Sequence, residues 1–173
     1  MDQIFELAKI ILPATLVLYA VFLVVRSFLN KEYDRKVLEL KMDNAKVILP
    51  IRLQAYERIC LLLERISLNN LIIRVNDPAY NSLQLQQVLL SEIRNEYNHN
   101  LSQQVYMSDE AWNITKKAIE DIVSLINTSG EQVQQESRGI ELAKKIFENH
   151  LNKSYDTVNQ ALTYIKAEIR VSF

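Results

Sequence analysis

The sequence predicts an all-α protein with an N-terminal transmembrane helix and a charged helical stalk, followed by a soluble bundle of about four helices. Three observations support this fold class. Residues 10–25 contain no charged side chain, apolar residues recur at helical spacing beyond residue 50, and 173 residues include only 2 glycines and 3 prolines. Because the turns of sheet-rich folds depend on glycine and proline, so few of these residues favour long helices with few connections.

The N-terminal apolar segment predicts a membrane span over about residues 7–29. Its uncharged part is shorter than the roughly 20 residues that a spanning helix needs. Lys9 and Arg26, which flank it, can extend their charged ends to the lipid head groups and so lengthen the span. The alternatives for such a run are a cleaved signal peptide, a buried core helix and a helix lying on the membrane surface, which would show a charged face that this run lacks. A signal peptide fits poorly, because acidic residues precede Lys9 and no small-residue cleavage site follows.

The distribution of charge predicts which side of the membrane the C-terminal domain occupies. Only Lys9 precedes the uncharged run, whereas six basic residues follow it up to position 46. Positive residues are retained on the cytoplasmic side, so we expect the domain of residues 50–173 in the cytoplasm. That domain holds 13 Lys and Arg against 15 Asp and Glu. It lacks the basic excess of a nucleic-acid binder, so the expected partners are the membrane and a protein or a second copy.

The stalk of residues 30–49 is predicted to continue the membrane helix into solvent. Pro50 is predicted to open the next helix, because proline is tolerated in a first turn. The broad apolar face of residues 51–68 predicts a helix central to the core, ending at Asn69 and Asn70. The apolar residues 71–75 are predicted to form a buried loop or short turn.

Three further helices complete the predicted bundle. The third begins near Ser82, a suitable N-cap, and holds the helical period as far as Val105. The fourth is capped by Ser108 and ends at Ser129-Gly130. The last is predicted to be a single long helix over residues 140–169, because its apolar residues are spaced three or four apart.

The residues capable of metal chemistry form only a fragment of a known pattern. Glu96 and His99 fit Glu-x-x-His, one half of a di-iron site in helical bundles, and Glu92 lies one turn earlier. A second such motif is missing, so these three residues are weak candidates and neither a metal nor a catalytic site is predicted. With only 2 glycines, no phosphate-binding loop and hence no nucleotide cofactor is predicted. Cys60, the single cysteine, is predicted to be a small apolar core residue.

The most polar helical segment covers residues 95–104. It carries amides, a histidine and a tyrosine between apolar neighbours, which predicts either a recognition surface or a solvated helix face. The candidates for an interaction surface are Asn95, Tyr97, Asn98, His99, Gln103 and Gln104.

Two segments resemble a known family. LPIRLQAYERICLLLERI (residues 49–66) and RNEYNHNLSQQVYMSDEAW (residues 94–112) are similar to an uncharacterised family of membrane-anchored helical proteins from Bacteroidota. The resemblance implies a bacterial inner membrane and no known activity, so it transfers no functional residues.

These observations favour a membrane-tethered, cytoplasmic interaction or scaffold module that is not an enzyme. One alternative is an accessory subunit of an inner-membrane complex that uses its transmembrane helix as a contact surface. A second alternative is a metal-binding or enzymatic bundle centred on Glu92, Glu96 and His99.

Overall fold

The fold is known from a computed structural model, which describes the backbone of residues 2–152 and 156–172. Within these ranges the chain forms no strand, and the all-α prediction is confirmed. The elements are α1 (Asp2–Ile66), α2 (Leu68–Val75), α3 (Ser82–Asn100), a 3₁₀-helix (Leu101–Tyr106), α4 (Asp109–Glu131), α5 (Gly139–Leu151) and α6 (Thr157–Ser172).

The contacts divide the chain into two units, Met1–Leu49 and Pro50–Phe173. In the first unit the described residues form the N-terminal part of α1, where every large apolar side chain described from Ile11 to Leu29 is exposed. Among the described residues, α1 is the one helix long and apolar enough to cross a membrane. The mean hydropathy of its most apolar window is 2.0, and none of that window is buried.

The prediction that Pro50 opens a helix is wrong, because α1 continues through it to Ile66. A proline inside a helix removes one backbone hydrogen bond and crowds the preceding turn, which disfavours the position without forbidding it. Beyond Pro50, Tyr56, Ile59 and Leu63 are buried, and such packing supplies most of the stability of a helix in a folded protein.

The segment predicted as a loop is a second helix, so that prediction is also wrong. The break lies at Ser67, whose φ of −55° and ψ of 138° are extended, and the two asparagines predicted to end the first helix lie inside α2. Leu68, Leu71 and Ile72 are buried on one face. Their three-and-four spacing is helical, but the run is too short for its period to separate a helix from a loop.

Capping residues fix the starts of α3 and α4. Asn81, one residue before the predicted cap, accepts a hydrogen bond from the Gln84 amide at 2.8 Å, and the Gln84 side chain accepts one from the Asn81 amide at 3.0 Å. This reciprocal pair is a capping box. The predicted cap of α4 is confirmed, since Ser108 Oγ accepts from the Ala111 amide at 3.1 Å. The helix extends to Glu131, slightly past the predicted stop.

Two predicted helices end earlier than expected. The third ends at Asn100, and the 3₁₀-helix follows over the segment predicted to continue it. The predicted last helix is two helices, α5 and α6. The Asp156 carboxylate accepts hydrogen bonds from the Val158 and Asn159 amides at 3.0 and 3.1 Å, which satisfies the first free amides of α6. Tyr155, predicted within this helix, lies outside the described residues.

The core of the second unit is formed by the last four turns of α1 together with the shorter helices. Helix α4 packs against α3, α5 and α6, and α3 also packs against α5 and α2. The largest fully buried side chains come from α1, α2, α3, α4 and α5: Tyr56, Ile59, Leu62, Leu63, Ile66, Leu71, Leu85, Leu89, Ile93, Ile126, Leu142 and Ile146. This packing positions the outer faces of α1 and α3, which carry the candidate site.

Candidate interaction surface

The polar segment predicted as an interaction surface lies mostly on the outside of the bundle. Of its candidates, Asn95, Asn98, His99 and Gln104 are exposed and Gln103 is half-buried. The helical period explains the exposure on α3, because Asn98 and His99 lie three and four positions after Asn95 and so share one side of the helix. Asn100 is the buried member of the segment, and its amide donates to the Glu96 carbonyl at 2.9 Å.

Tyr97 has a different role from its neighbours. It is half-buried, and its ring stacks on the ring of Trp112 with centroids 5.9 Å apart and planes at 20°. Offset aromatic pairs of this kind stabilise a fold beyond the apolar area that they bury. Tyr97 therefore joins α3 to α4, and it is part of the packing beneath the surface.

A groove runs between the outer faces of α1 and α3. Its volume is about 380 Å³, and it is lined by Gln54, Glu57, Arg58, Leu61, Leu62, Arg65, Glu96, His99 and Asn100. Ligand pockets commonly have volumes of this order. Sequence reasoning found the α3 side of this groove but missed the α1 side. The sequence signal for the α1 side was Leu61, because it is a large apolar residue that lies outside the buried stripe of α1. In the structure it is exposed.

The carboxylates of the weak metal candidates are both paired with arginines. Glu96 Oε1 lies 2.6 Å from Arg65 Nε, and Glu92 Oε2 lies 2.5 Å from Arg74 Nη1. His99 lines the groove beside Glu96. Among the described residues, no three His, Cys, Asp or Glu side chains form a group that could hold a metal ion. Of these two pairs, Arg65–Glu96 lines the groove, and such a neutralised ion pair suits recognition by hydrogen bonding.

A second polar cluster connects α1, α4 and α6 through Glu168. The buried Tyr56 hydroxyl donates to Glu168 Oε1 at 2.6 Å, and Ser108 Oγ donates to Glu168 Oε2 at 2.9 Å. Burial raises the pKa of Tyr56, and the hydrogen bond to Glu168 raises it further. Nearby, Arg52 Nε donates to the Tyr106 carbonyl at 3.2 Å. Since Tyr56 and Ser108 both donate to the Glu168 carboxylate, the cluster joins α1 and the start of α4 to α6.

Cys60 is half-buried and packs against the core. Burial raises the pKa of its thiol, which outweighs the opposing effect of the Lys166 ammonium. A thiol with a raised pKa is mostly protonated at neutral pH and is therefore a poor nucleophile. The residue serves packing, in agreement with its predicted place in the core.

Comparison with known proteins assigns a family without an activity. The chain matches the model of a family of unknown function (DUF7935) over residues 2–172. No curated protein and no solved structure matches it. The resemblance to an uncharacterised family is thus confirmed at that level.

Proposed function

The chain belongs to this family of unknown function, DUF7935, and we propose that it is a single-pass membrane protein whose helical bundle is a non-enzymatic interaction module. The bundle would lie on the cytoplasmic face of a bacterial inner membrane and hold a protein partner near the bilayer. The observation that carries the proposal is that no part of the most apolar window of α1 is buried.

The exposed apolar surface of this window is far larger than a water-soluble helix normally presents. Leu16, Leu18, Phe22 and Val24 all have more than half of their surface exposed, and they point to different sides of the helix. Contiguous apolar patches beyond a few hundred Å² mark binding or membrane surfaces. A helix that is apolar all round needs an apolar environment on every side, and a bilayer provides one.

The threonine of this segment is compatible with lipid. Thr15 Oγ1 donates to the Ile11 carbonyl at 2.8 Å, so its hydroxyl is satisfied within the helix. Along an α-helix, about 20 residues at 1.5 Å each match a hydrocarbon core of about 30 Å. The excess of basic residues after the apolar run supports a cytoplasmic bundle.

The recognition role rests on the groove between α1 and α3. The exposed Leu61 lines this groove together with Arg58 and the Arg65–Glu96 pair. An apolar residue surrounded by charged and amide groups is the composition of a small protein-binding patch. The Glu96 carboxylate there is held by Arg65, which favours binding over acid–base catalysis by that residue.

Membrane insertion is tested by placing a charge in the middle of the apolar run. We expect Leu18→Arg to reduce the carbonate-resistant membrane fraction sharply, because an arginine at the centre of a span costs about 2.5 to 3.5 kcal/mol. Leu38→Arg, at an exposed leucine of the stalk, is the matched control and should leave membrane retention unchanged. Equal retention of both variants would contradict the anchor.

Partner recognition is tested by crosslinking in membranes and co-purification, with the full chain and with a chain lacking residues 1–30. A specific partner held by both forms supports recognition by the bundle. Leu61→Asp should abolish its capture, whereas Ile73→Asp, at a strongly exposed isoleucine of α2, should not. Capture that survives Leu61→Asp places recognition outside the groove.

A second candidate function is an accessory subunit of an inner-membrane complex, and Tyr19 favours it. Its hydroxyl-bearing side chain is exposed within the apolar run, where a polar group is more stable against protein than against lipid. In this case a partner should be lost when residues 10–29 are replaced by an unrelated apolar helix. If the partner persists after that replacement, the subunit role is excluded and the bundle module is supported.

A further inference from the structure

The stalk part of α1 carries a heptad pattern. Tyr33, Val37, Leu40, Asn44 and Val47 follow one another at intervals of four, three, four and three residues. This spacing places them along one side of a helix and corresponds to the a and d positions of a coiled coil. Val37 and Asn44 then occupy a, and the other three occupy d.

Most side chains on this side of the stalk are exposed to solvent in the described part of the first unit. Tyr33 is 70% exposed, Leu40 65% and Val47 66%, Asn44 is exposed as well, and Val37 is half-buried. Such exposure of apolar side chains in a polar segment predicts a binding partner, since apolar surface gains free energy when it leaves water.

In the part of α1 that belongs to the bundle, the residues at the corresponding a and d positions are also exposed. Counting on in heptads gives Ile51, Gln54, Arg58 and Leu61, and all four are exposed. The residues of α1 that the bundle buries there, such as Ala55, Ile59 and Leu62, hold other heptad positions. The bundle therefore does not occupy this register in its own part of the helix.

We propose that two copies of this chain pair side by side through a parallel coiled coil of the seam formed by Tyr33, Val37, Leu40, Asn44 and Val47. At Val37 and Leu40, a β-branched residue at a is followed by leucine at d, a combination that favours two strands. A lone asparagine at an a position favours the same outcome, because in a parallel pair in register the two amides meet and bond to each other. Asn44 thus selects a second copy of this chain over an unrelated apolar helix.

The parallel orientation rests on the proposed membrane anchor, which inserts every copy in the same direction. The seam covers only two heptads, fewer than a coiled coil free in solution usually needs. Confinement to one membrane raises the effective concentration of the second copy and compensates for the short seam.

Charges beside the seam give this pairing a distinctive dependence on salt. Lys36 and Lys41 hold the flanking g and e positions, so Lys36 of one copy faces Lys41 of the other. Salt screens repulsion between exposed charges. Pairing should therefore increase with ionic strength, whereas an association driven by opposite charges would weaken.

Disulfide crosslinking of the full chain in membranes tests the seam, in a Cys60→Ser background that removes the native thiol. Leu40→Cys and Val47→Cys place a cysteine on the seam. Glu39→Cys and Lys46→Cys, each one residue away on another side of the helix, are the matched controls. We expect about tenfold more disulfide-linked dimer from each seam variant than from its control, because only seam residues bring their Cβ atoms close to the separation of about 4 Å that a disulfide needs.

A second variant tests the seam further, and a membrane fractionation distinguishes failure of the pairing from failure of the anchor. Adding Asn44→Lys to Leu40→Cys should lower the dimer several-fold, because it places two ammonium groups against each other in the seam. Seam and control cysteines that crosslink equally, or not at all, would overturn the pairing. Carbonate extraction of the same samples tests the anchor independently. Membrane retention without seam-specific dimers rejects only the pairing, and seam-specific dimers in a soluble chain reject only the anchor.

Discussion

The two parts of α1 on either side of Leu49 are both rich in apolar residues, but they differ in how far these residues are buried. From Ile11 to Leu49, the large apolar side chains are exposed almost without exception. After Pro50, Tyr56, Ile59 and Leu62 are fully buried, and they recur at intervals of three. A helix with an apolar stripe can be covered by neighbouring helices of its own chain. A helix that is apolar all round needs an environment that surrounds it.

This difference separates stability from function. The buried stripe is covered by α2 to α6, so changes there should unfold the bundle. The exposed surface is covered by nothing in its own unit, so changes there should alter location and association while the bundle remains folded. Trp112, the single tryptophan, is buried in the bundle, and its fluorescence can follow unfolding in the full chain.

The largest contrast is expected between two leucines of one helix. Leu63 is fully buried and Leu61 is 54% exposed. Leu63→Ala should lower the free energy of unfolding by about 2 to 5 kcal/mol, because it leaves a cavity in the core. Leu61→Ala should change it by no more than about 0.5 kcal/mol. Denaturant unfolding followed by Trp112 fluorescence measures both, and equal losses would show that the groove side of α1 is also packed.

A smaller effect is expected at Tyr56, where the buried stripe meets α6. Tyr56→Phe removes the bond to Glu168, which we expect to lower the free energy of unfolding by about 1.5 kcal/mol or more, since hydrogen bonds to charged groups contribute about that much. Tyr33→Phe, at an exposed tyrosine of the stalk, is the control and should leave the unfolding of the bundle unchanged.

The pH dependence sharpens this prediction. The pKa of Tyr56 is raised above 10.0 in the folded state by burial and by the Glu168 bond. Folding therefore favours the protonated hydroxyl, and this stabilisation is fully present below pH 10 and lost as the pH rises through the raised value. The difference in stability between wild type and Y56F should shrink above pH 10. A difference that stays constant would mean that Tyr56 does not titrate in this range.

Local signals in the sequence predicted part of this fold well. The start of α4 was predicted correctly because Ser108, a good N-cap residue, lies directly before the helix. The division of the last helix into α5 and α6 was missed, although Asp156 and Asn159 form a recognisable capping pair. Apolar residues on both sides of the break kept nearly the same period, so periodicity alone could not reveal it.

Other features depend on packing that no short segment contains. Helix α2 is helical because Leu68, Leu71 and Ile72 find a core to enter, and Pro50 lies within a helix whose next turns are held by the bundle. In the candidate site, the polar residues of α3 were identified from their composition. The arginines that face them are far away in sequence, with Arg65 31 residues before its partner Glu96, so the groove itself could not be predicted.

The smallest contrast concerns two ion pairs of α1. Lys46 and Asp43 are both strongly exposed and lie on the same helix, with Nζ and Oδ1 3.0 Å apart. Arg65 joins α1 to the Glu96 carboxylate of α3, whose side chain is only 14% exposed. Lys46→Met should not change the unfolding of the bundle. Arg65→Met should lower the free energy of unfolding by up to about 1 kcal/mol, because it leaves the less exposed carboxylate without its cation.

Ionic strength distinguishes this effect from a loss of packing by the arginine stem. Salt screens exposed charges, so the cost of Arg65→Met should decrease between low and high salt if the ion pair is its cause. A cost that is independent of salt would instead assign the contribution of Arg65 to the apolar part of its side chain against Leu61 and Leu62 in the groove wall. In either case the exposed Lys46–Asp43 pair of the stalk remains the control, because Lys46→Met should leave the fold and the core contacts of α1 intact.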